Sequence, residues 1–464
     1  MKKTLLLVFL SSLLVSCQNS PSKESPSPDA SADSSAVAVA ETVKTTEAWA
    51  NTATIYEVNI RQYSEEGTIN AFREHLDRLQ DLGIKILWIM PIQPIGLKNR
   101  KGEEGSYYSI ANYHEVNPAF GSMEDFKALV QEAHDRDMKV ILDWVANHTA
   151  FDHPWTSEHP EWYTRDSLGN IIPPVEDWSD VADLNYSEKG LWKAMCSEMK
   201  FWVNETNVDG FRCDVAMMVP MDFWNETRRA LDSIKPVFML AEAEGPDFHA
   251  AAFDMTYGWE NHHIINEIAQ GKMDFLHLAE FLAKEDTLYA PADLRMNFVT
   301  NHDENSWNGT AYERMGENVQ NYYALCVGLK RSMPLIYSGQ EAGLNRRLEF
   351  FTKDPIAWAD TSQYAFYRAM SALKAEHPAL ANGAKTGDFK IIETDNENVF
   401  AFRRSMNDNQ VIFYLNFGDS PVEVKLSDGW MGDSKALDYI SGAELNREEA
   451  HSIPAHNFLI ATNH

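Results

Sequence analysis

The sequence predicts an α/β protein built on a (β/α)8 TIM barrel, with a loop domain inserted after strand 3 and a C-terminal antiparallel β-sandwich-like domain. Three observations predict it. Short apolar runs alternate with amphipathic stretches through the middle of the chain. One long stretch breaks that rhythm after the third run. The last part of the chain turns to short runs of alternating polarity.

The barrel rests on eight apolar runs: Ile55–Ile60, Ile84–Met90, Lys139–Val145, Val208–Cys213, Val237–Ala241, Phe253–Tyr257, Met296–Thr300 and Leu335–Tyr337. Helical patterns lie between most of them, as at Ile69–Leu82, Met123–Asp137 and Leu191–Glu205. A doubly wound sheet would show fewer strands and a Gly-rich phosphate turn, which is absent. A chain of 464 residues suits a large barrel with an accessory module. The barrel is assigned to residues 49–380. The inserted loop domain, residues 149–186, is rich in Pro, Trp, Asp and His and has no helical period. The β domain is assigned to residues 381–464, on strands Val399–Arg403, Val411–Asn416, Val422–Val424 and Phe458–Ala461.

The N-terminus predicts export. Met1-Lys2-Lys3 is basic, and the apolar run Thr4–Val15 is too short to cross a bilayer, so residues 1–17 read as a signal segment. Leu14-Val15-Ser16-Cys17 resembles a bacterial lipobox, which makes Cys17 the expected lipidation site. Residues 18–48, rich in Ser, Pro, Ala and Asp, cannot bury a core and read as a flexible tether. The expectation is an exported bacterial lipoprotein, periplasmic or at the cell surface, touching the membrane through its lipid anchor only.

A formal net charge of -29 argues against nucleic acid as a partner, because such binding needs cations that displace counterions. Three cysteines remain after Cys17: Cys196, Cys213 and Cys326. An odd count in apolar contexts argues for buried thiols rather than a disulfide framework.

Active sites in such barrels sit at the carboxyl ends of the strands. The third run ends Asp143-Trp144-Val145-Ala146-Asn147-His148, and the fourth ends Gly210-Phe211-Arg212-Cys213-Asp214. The fifth ends Leu240-Ala241-Glu242. The seventh ends Phe298-Val299-Thr300-Asn301-His302-Asp303. Carboxylates crowded at one mouth must separate their pKa values, and that separation supplies an acid and a base or nucleophile.

These four segments resemble the four signature regions of the α-amylase family, glycoside hydrolase family 13, in the family's order. Ala182–Tyr186 resembles its loop-domain motif. Gly105–Ile110 resembles the loop that supplies a sugar-stacking Tyr, and Ser338–Glu341 the end of strand eight. The resemblance covers about Ala53 to Pro378. It implies that Asp214 is the nucleophile, Glu242 the acid/base and Asp303 the transition-state stabiliser. It implies that Arg212 keeps Asp214 ionised, that His148 and His302 hydrogen-bond the sugar, and that Tyr108 stacks beneath it. On this assignment Glu242 needs a raised pKa and Asp214 a normal or low one. The resemblance also implies a structural calcium held by Asn147 and Asp183, whose oxygens suit that ion, and no organic cofactor.

Two features depart from the family or are soft. Met217-Met218 stands where many members have Lys-His on the leaving-group side, and Val215 follows the nucleophile. Trp155, Trp162, Trp178 and Trp307 suit outer sugar subsites and loop-domain packing equally. The expected activity is retaining hydrolysis of α-glucosidic, mainly α-1,4, bonds in starch-like glucans or maltooligosaccharides. An oligo-α-glucosidase, a neopullulanase-like enzyme or a transglycosylase is the alternative, and a non-catalytic glucan-binding lipoprotein a third reading.

Overall fold

The structure is a computed structural model, and it describes residues 48–463. The signal segment, Cys17 and residues 18–47 of the tether lie outside the described residues. Eight parallel strands close a barrel: β1 (Ile55–Val58), β2 (Ile86–Ile89), β3 (Lys139–Trp144), β4 (Gly210–Cys213), β5 (Phe238–Ala241), β6 (Met255–Tyr257), β7 (Leu294–Asn297) and β8 (Ser332–Tyr337). β1 closes the barrel by pairing with both β2 and β8.

Side chains alternate along each strand, so every second residue enters the barrel. The inward positions form an apolar plug that includes Ile55, Ile86, Trp88, Ile141, Leu240, Tyr257, Met296 and Leu335. Towards the carboxyl ends the same inward rows turn charged: Ile55 is followed by Glu57, Ile141 by Asp143, and Gly210 by Arg212 and then Asp214. Register puts Asp143 opposite Arg212 and Glu57 opposite Trp88. The outward positions pack a second cluster under the surrounding helices, including Leu87, Leu142, Phe211 and Met239. Gly210 is required at the start of β4. Its φ is +157°, and a Cβ there would lie 1.8 Å from the Phe238 carbonyl oxygen.

The elements differ from the sequence expectation in a few places. β7 ends at Asn297, so Phe298–Asn301 is irregular chain beyond the strand, and His302 and Asp303 are already helical, leading into a π-helical turn, Glu304–Asn308. The pattern Ile69–Leu82 splits into Ile69–Arg73 and Leu76–Asp81, because His75 leaves helical geometry. The loop domain carries its own two-stranded ladder, His148–Ala150 with Val181–Asp183.

The C-terminal part is a six-stranded antiparallel sheet beside a two-stranded ladder. Strands Asp388–Ile392, Ala436–Asp438, Glu444–Leu445 and His451–Ile453 add to those expected. One sheet face packs on the ladder through Ile412, Tyr414, Val424 and Ile453. The other joins the barrel core, where Gly328 has no side chain and admits Phe402 and Phe413. Among the described residues, no helix is long and apolar enough to cross a membrane.

Candidate active site

A pocket of about 600 Å³ opens at the carboxyl ends of the strands. It brings together Asp214, Glu242, Asp303, Tyr108 and His148, with Trp178, Trp307 and Phe350 on its walls. Arg212 and His302 lie behind this lining, buried and bonded to it.

Arg212 organises the floor. It is fully buried on β4. Its Nη1 lies 3.0 Å from Asp214 Oδ1 and 2.9 Å from Asp143 Oδ1, and its Nη2 lies 2.8 Å from Glu242 Oε2. Its Nε donates to the Tyr257 hydroxyl at 3.1 Å, and the guanidinium sits over the Trp88 ring at 4.9 Å. Asp143 is fixed in turn by Trp88 Nε1 at 3.0 Å and by the Tyr108 hydroxyl at 3.2 Å. One cation therefore holds three carboxylates in fixed positions.

Asp214 follows β4, and the next residue is strained. Val215 has φ +36°, a left-handed conformation that a β-branched residue rarely adopts. That backbone aims the Val215 N–H at Glu242 Oε2, 2.7 Å away. The turn is tied down by Met218 N–H to the Val215 carbonyl and by Trp224 Nε1 to the Ala216 carbonyl. The strained turn after Asp214 thus positions the Glu242 carboxylate at the end of β5.

Electrostatics divide the two histidines. Burial pushes His148 down to about 4, so it is neutral at pH 7. Burial alone would do the same to His302. Asp303 and Glu57 outweigh it and hold His302 up at about 9. Its Nδ1 lies 2.5 Å from Glu57 Oε1, and its Nε2 lies 3.3 Å from Asp303 Oδ2 and 2.9 Å from the Tyr108 hydroxyl. The Tyr108 ring stacks on His302 at 5.5 Å.

Burial raises Glu242, and Arg212 opposes it. Asp214 corrects the expectation of a normal or low value. Burial raises it well above the usual carboxylate range. Arg212 opposes this, and Glu242, Asp143 and Asp303 add to it. One guanidinium does not neutralise so many buried carboxylates. A proton held by Glu242 removes a neighbouring negative charge and so favours ionised Asp214.

Several participants carried no motif. Glu57, Trp88 and Tyr257 lie inside apolar runs, where a single inward carboxylate in Ile55–Ile60 was the available signal. Asp143 lay within a quoted segment without a role. Phe350, stacked near Tyr108 at 6.5 Å, sits on a loop with no periodic pattern. The four tryptophans divide. Trp178 and Trp307 line the pocket. Trp155 and Trp162 pack on each other at 5.2 Å inside the loop domain. Met217 and Met218 are exposed on the turn after Asp214.

Asn147 and Asp183 are neighbours across the loop-domain ladder, where Leu184 N–H donates to the Asn147 carbonyl and Asp183 pairs with His148. Burial raises Asp183, with a Thr164 hydrogen bond opposing. Among the described residues no group of three or more His, Cys, Asp or Glu is arranged to hold a metal ion. A cation at Asn147 and Asp183 would therefore complete its shell with backbone and water oxygens. Calcium accepts such a set, and the half-buried carboxylate fits it.

Comparison with known proteins agrees with this geometry. Residues 29–168 and 175–379 match the model of the α-amylase catalytic domain, and residues 389–460 match that of the maltogenic amylase C-terminal domain. The α-amylase MalA of Haloarcula japonica is 27% identical, over 85% of this chain and 59% of the relative, so the chain spans about three fifths of that protein. The crystal structure of a maltogenic α-amylase, AmyB, from Thermotoga neapolitana superposes with a TM-score of 0.80 at 29% identity, covering 89% of this chain and 99% of the other. An α-amylase from Lactobacillus plantarum also gives 0.80, at 28% identity over 90% of this chain and 100% of the other.

Proposed function

The chain belongs to the α-amylase family, and from that premise we propose that it is a retaining hydrolase of α-glucosidic, mainly α-1,4, bonds in starch-like glucans or maltooligosaccharides. The observation that carries this reading is the single guanidinium of Arg212 in contact with both Asp214 and Glu242. It keeps the two carboxyls close enough to act on the same anomeric centre, as a double displacement requires.

In the first step Asp214 Oδ2, the oxygen not held by Arg212, attacks the anomeric carbon. The bond from that carbon to the glycosidic oxygen breaks, and Glu242 gives its proton to the departing oxygen. Glu242 Oε2 is occupied by Arg212 and Val215 N–H, so Oε1 carries the proton. In the second step Glu242 takes a proton from water. The hydroxide adds to the same carbon, and Asp214 leaves. Asp303 and the imidazolium of His302 orient the sugar and stabilise the oxocarbenium-like state, and neutral His148 and the Tyr108 ring complete the glycone site.

Exposed Met217 and Met218 favour a second reading. An apolar surface beside the nucleophile suits the apolar face of an acceptor sugar, and a sugar then competes with water for the glycosyl-enzyme. Products from starch, pullulan and maltotriose, with their anomeric configuration followed by proton NMR, test both. Initial α-anomers support retention, and initial β-anomers overturn it. Products longer than the substrate support transfer.

A calcium ion at Asn147 and Asp183 would supply charge that ties the loop domain to the barrel. A thermal transition unchanged between calcium and EDTA would remove that part of the proposal. Export and lipidation at Cys17 are likewise proposed, supported by residues 1–17 alone. Membrane fractionation of the wild type against Cys17→Ala tests them.

A further inference from the structure

A single helical turn, Ile60–Tyr63, follows β1, and its second residue is a buried cation. Arg61 is 3% exposed, and among the described residues no carboxylate pairs with it. Its guanidinium bonds to backbone carbonyls instead. Nη1 donates to the Gly105 carbonyl at 2.9 Å and to the Phe350 carbonyl at 3.4 Å, and Nη2 donates to the Glu104 carbonyl at 3.2 Å. The group also lies over the Tyr107 ring at 4.0 Å. Burial pushes the Arg61 pKa down, against the pull of Tyr107 and Glu104. The buried Arg212, Arg228, Arg295 and Arg331 each face a carboxylate. Burying a charge without such a partner lowers stability, so this position keeps its cation at a cost.

The carbonyls that Arg61 holds belong to two loops that build the pocket. Glu104 and Gly105 lie on the loop after β2, and Phe350 lies on the loop after β8. Tyr108 follows Gly105 by three residues, and the chain between them is pinned. Tyr108 N–H donates to Ser106 Oγ at 3.2 Å, and Ser109 N–H donates to the Ser106 carbonyl at 3.1 Å. A shift at Gly105 is therefore carried to Tyr108, whose hydroxyl lies 2.9 Å from His302 Nε2 and 3.2 Å from Asp143 Oδ2. Phe350 and Phe351 line the pocket with Tyr108. The Phe350 and Tyr108 rings are 6.5 Å apart and 15° from parallel. The two loops meet directly where Glu104 N–H donates to the Phe351 carbonyl at 2.9 Å. Gln62, beside Arg61, also holds the second loop, with Nε2 donating to the Glu349 carbonyl at 2.7 Å and the Thr352 carbonyl at 3.0 Å.

We propose that Arg61 is a positioning residue that locks the loops after β2 and β8 to each other and so fixes the Tyr108 ring against His302 and Phe350. This inference rests on the hydrolase reading above and adds a residue that touches no substrate. A planar fork of donors reaches both loops at once, which neither a point charge nor an apolar side chain can do. Misplacing a group of the cleavage site by about 1 Å lowers the rate by about a hundredfold, so a lock this far from the chemistry is expected to show in turnover.

The test measures kcat/KM on maltotriose, per folded molecule and well below each melting transition, for the wild type, Arg61→Met, Tyr108→Ala and the double variant. Arg61→Met keeps a long side chain and removes the donors. The expected result is a fall of about tenfold or more in Arg61→Met. The double variant should then lie within about threefold of Tyr108→Ala, because Arg61 acts through Tyr108. A kcat/KM within about twofold of the wild type overturns the proposal even where the melting temperature falls, since a merely structural cation would act that way. Losses that multiply in the double variant also overturn it. Hydrogen exchange reads the lock without turnover. Amides of residues 104–109 and 349–352 are expected to exchange about tenfold faster in Arg61→Met, with the barrel strands unchanged. Unchanged exchange in either loop, or equal acceleration throughout the barrel, overturns the proposal. Should Arg61→Met fail to fold, Arg61→Lys carries the same measurements, since it keeps the charge and loses the fork. A wild type that cleaves none of starch, pullulan and maltotriose refutes the hydrolase reading, and the exchange result alone then decides whether Arg61 locks the loops.

Discussion

Glu57→Gln removes a buried charge that the cleavage site depends on. His302 is 2% exposed and lies 2.5 Å from Glu57 Oε1 and 3.3 Å from Asp303 Oδ2. Burial opposes its protonation, and the two carboxylates still raise it from 6.5 to about 9. That rise favours the imidazolium by about 3 kcal/mol, at 1.36 kcal/mol per pKa unit. The Tyr108 hydroxyl and Arg212 also face the ring, and Arg212 works against the charge. A pKa raised in the folded state contributes stability that is fully present below about 6.5 and is lost as the pH rises through about 9. The substitution keeps the shape of Glu57 and removes its charge, leaving Asp303 as the remaining anion at the ring. The His302 pKa is then expected to fall by a unit or more, a loss of about 1.4 kcal/mol at least. Two assays report this. The alkaline limb of kcat/KM moves down by one pH unit or more. The thermal stability deficit of the variant is large at pH 6 and closes by pH 10. An unmoved alkaline limb, or a deficit constant from pH 6 to pH 10, would refute the reasoning.

Three further substitutions probe the floor and the barrel. Asp214→Asn is expected to lower kcat by about a thousandfold or more, since the proposed nucleophile is lost. It should also raise the melting temperature, by more at pH 8 than at pH 4, because burial and neighbouring carboxylates make ionised Asp214 costly. Retained activity or a lower melting temperature at pH 8 would contradict this. Arg212→Met leaves Asp143, Asp214 and Glu242 without their shared cation, a loss of about 3–5 kcal/mol readable by urea unfolding. A midpoint equal to the wild type's would count against that network. Gly210→Ala drives a Cβ into the Phe238 carbonyl oxygen, a backbone atom that cannot yield cheaply. A destabilisation above about 2 kcal/mol is expected by the same method, and a neutral result would show that β4 can shift.

The barrel was legible because its cause is local. A strand buried on both faces must read as an apolar run, and eight such runs stood in the chain. The polar ends of β3, β4 and β5 were legible for the same reason. In Gly210–Asp214, alternation alone puts Arg212 and Asp214 on one face. Shape was harder where the signal was short. The strands Ala436–Asp438, Glu444–Leu445 and His451–Ile453 are three residues long or fewer, and each forms by pairing with another strand: Asn457–Thr462, Ala436–Asp438 and Val422–Val424 respectively. Asp303 was expected at a strand end and stands at the start of a helical segment instead, because β7 begins two residues earlier than its apolar run and ends at Asn297.

Sequence by itself determined the barrel, the loop insertion, the carboxylates at the mouth and the aromatic residues available to a sugar. Each follows from the period of burial along a strand or from residue type. Tertiary structure decided how those groups are charged and held. Glu57 and His302 are 245 positions apart in the chain, and Lys101 and Asp180 belong to different loops. Such pairs exist only after β1 closes against β8 and the loop domain folds back over the pocket. Charge states depend on the same closure. Burial and the distances between remote carboxylates set the values of Asp214, Glu242 and His302, and no stretch of contiguous sequence contains those distances.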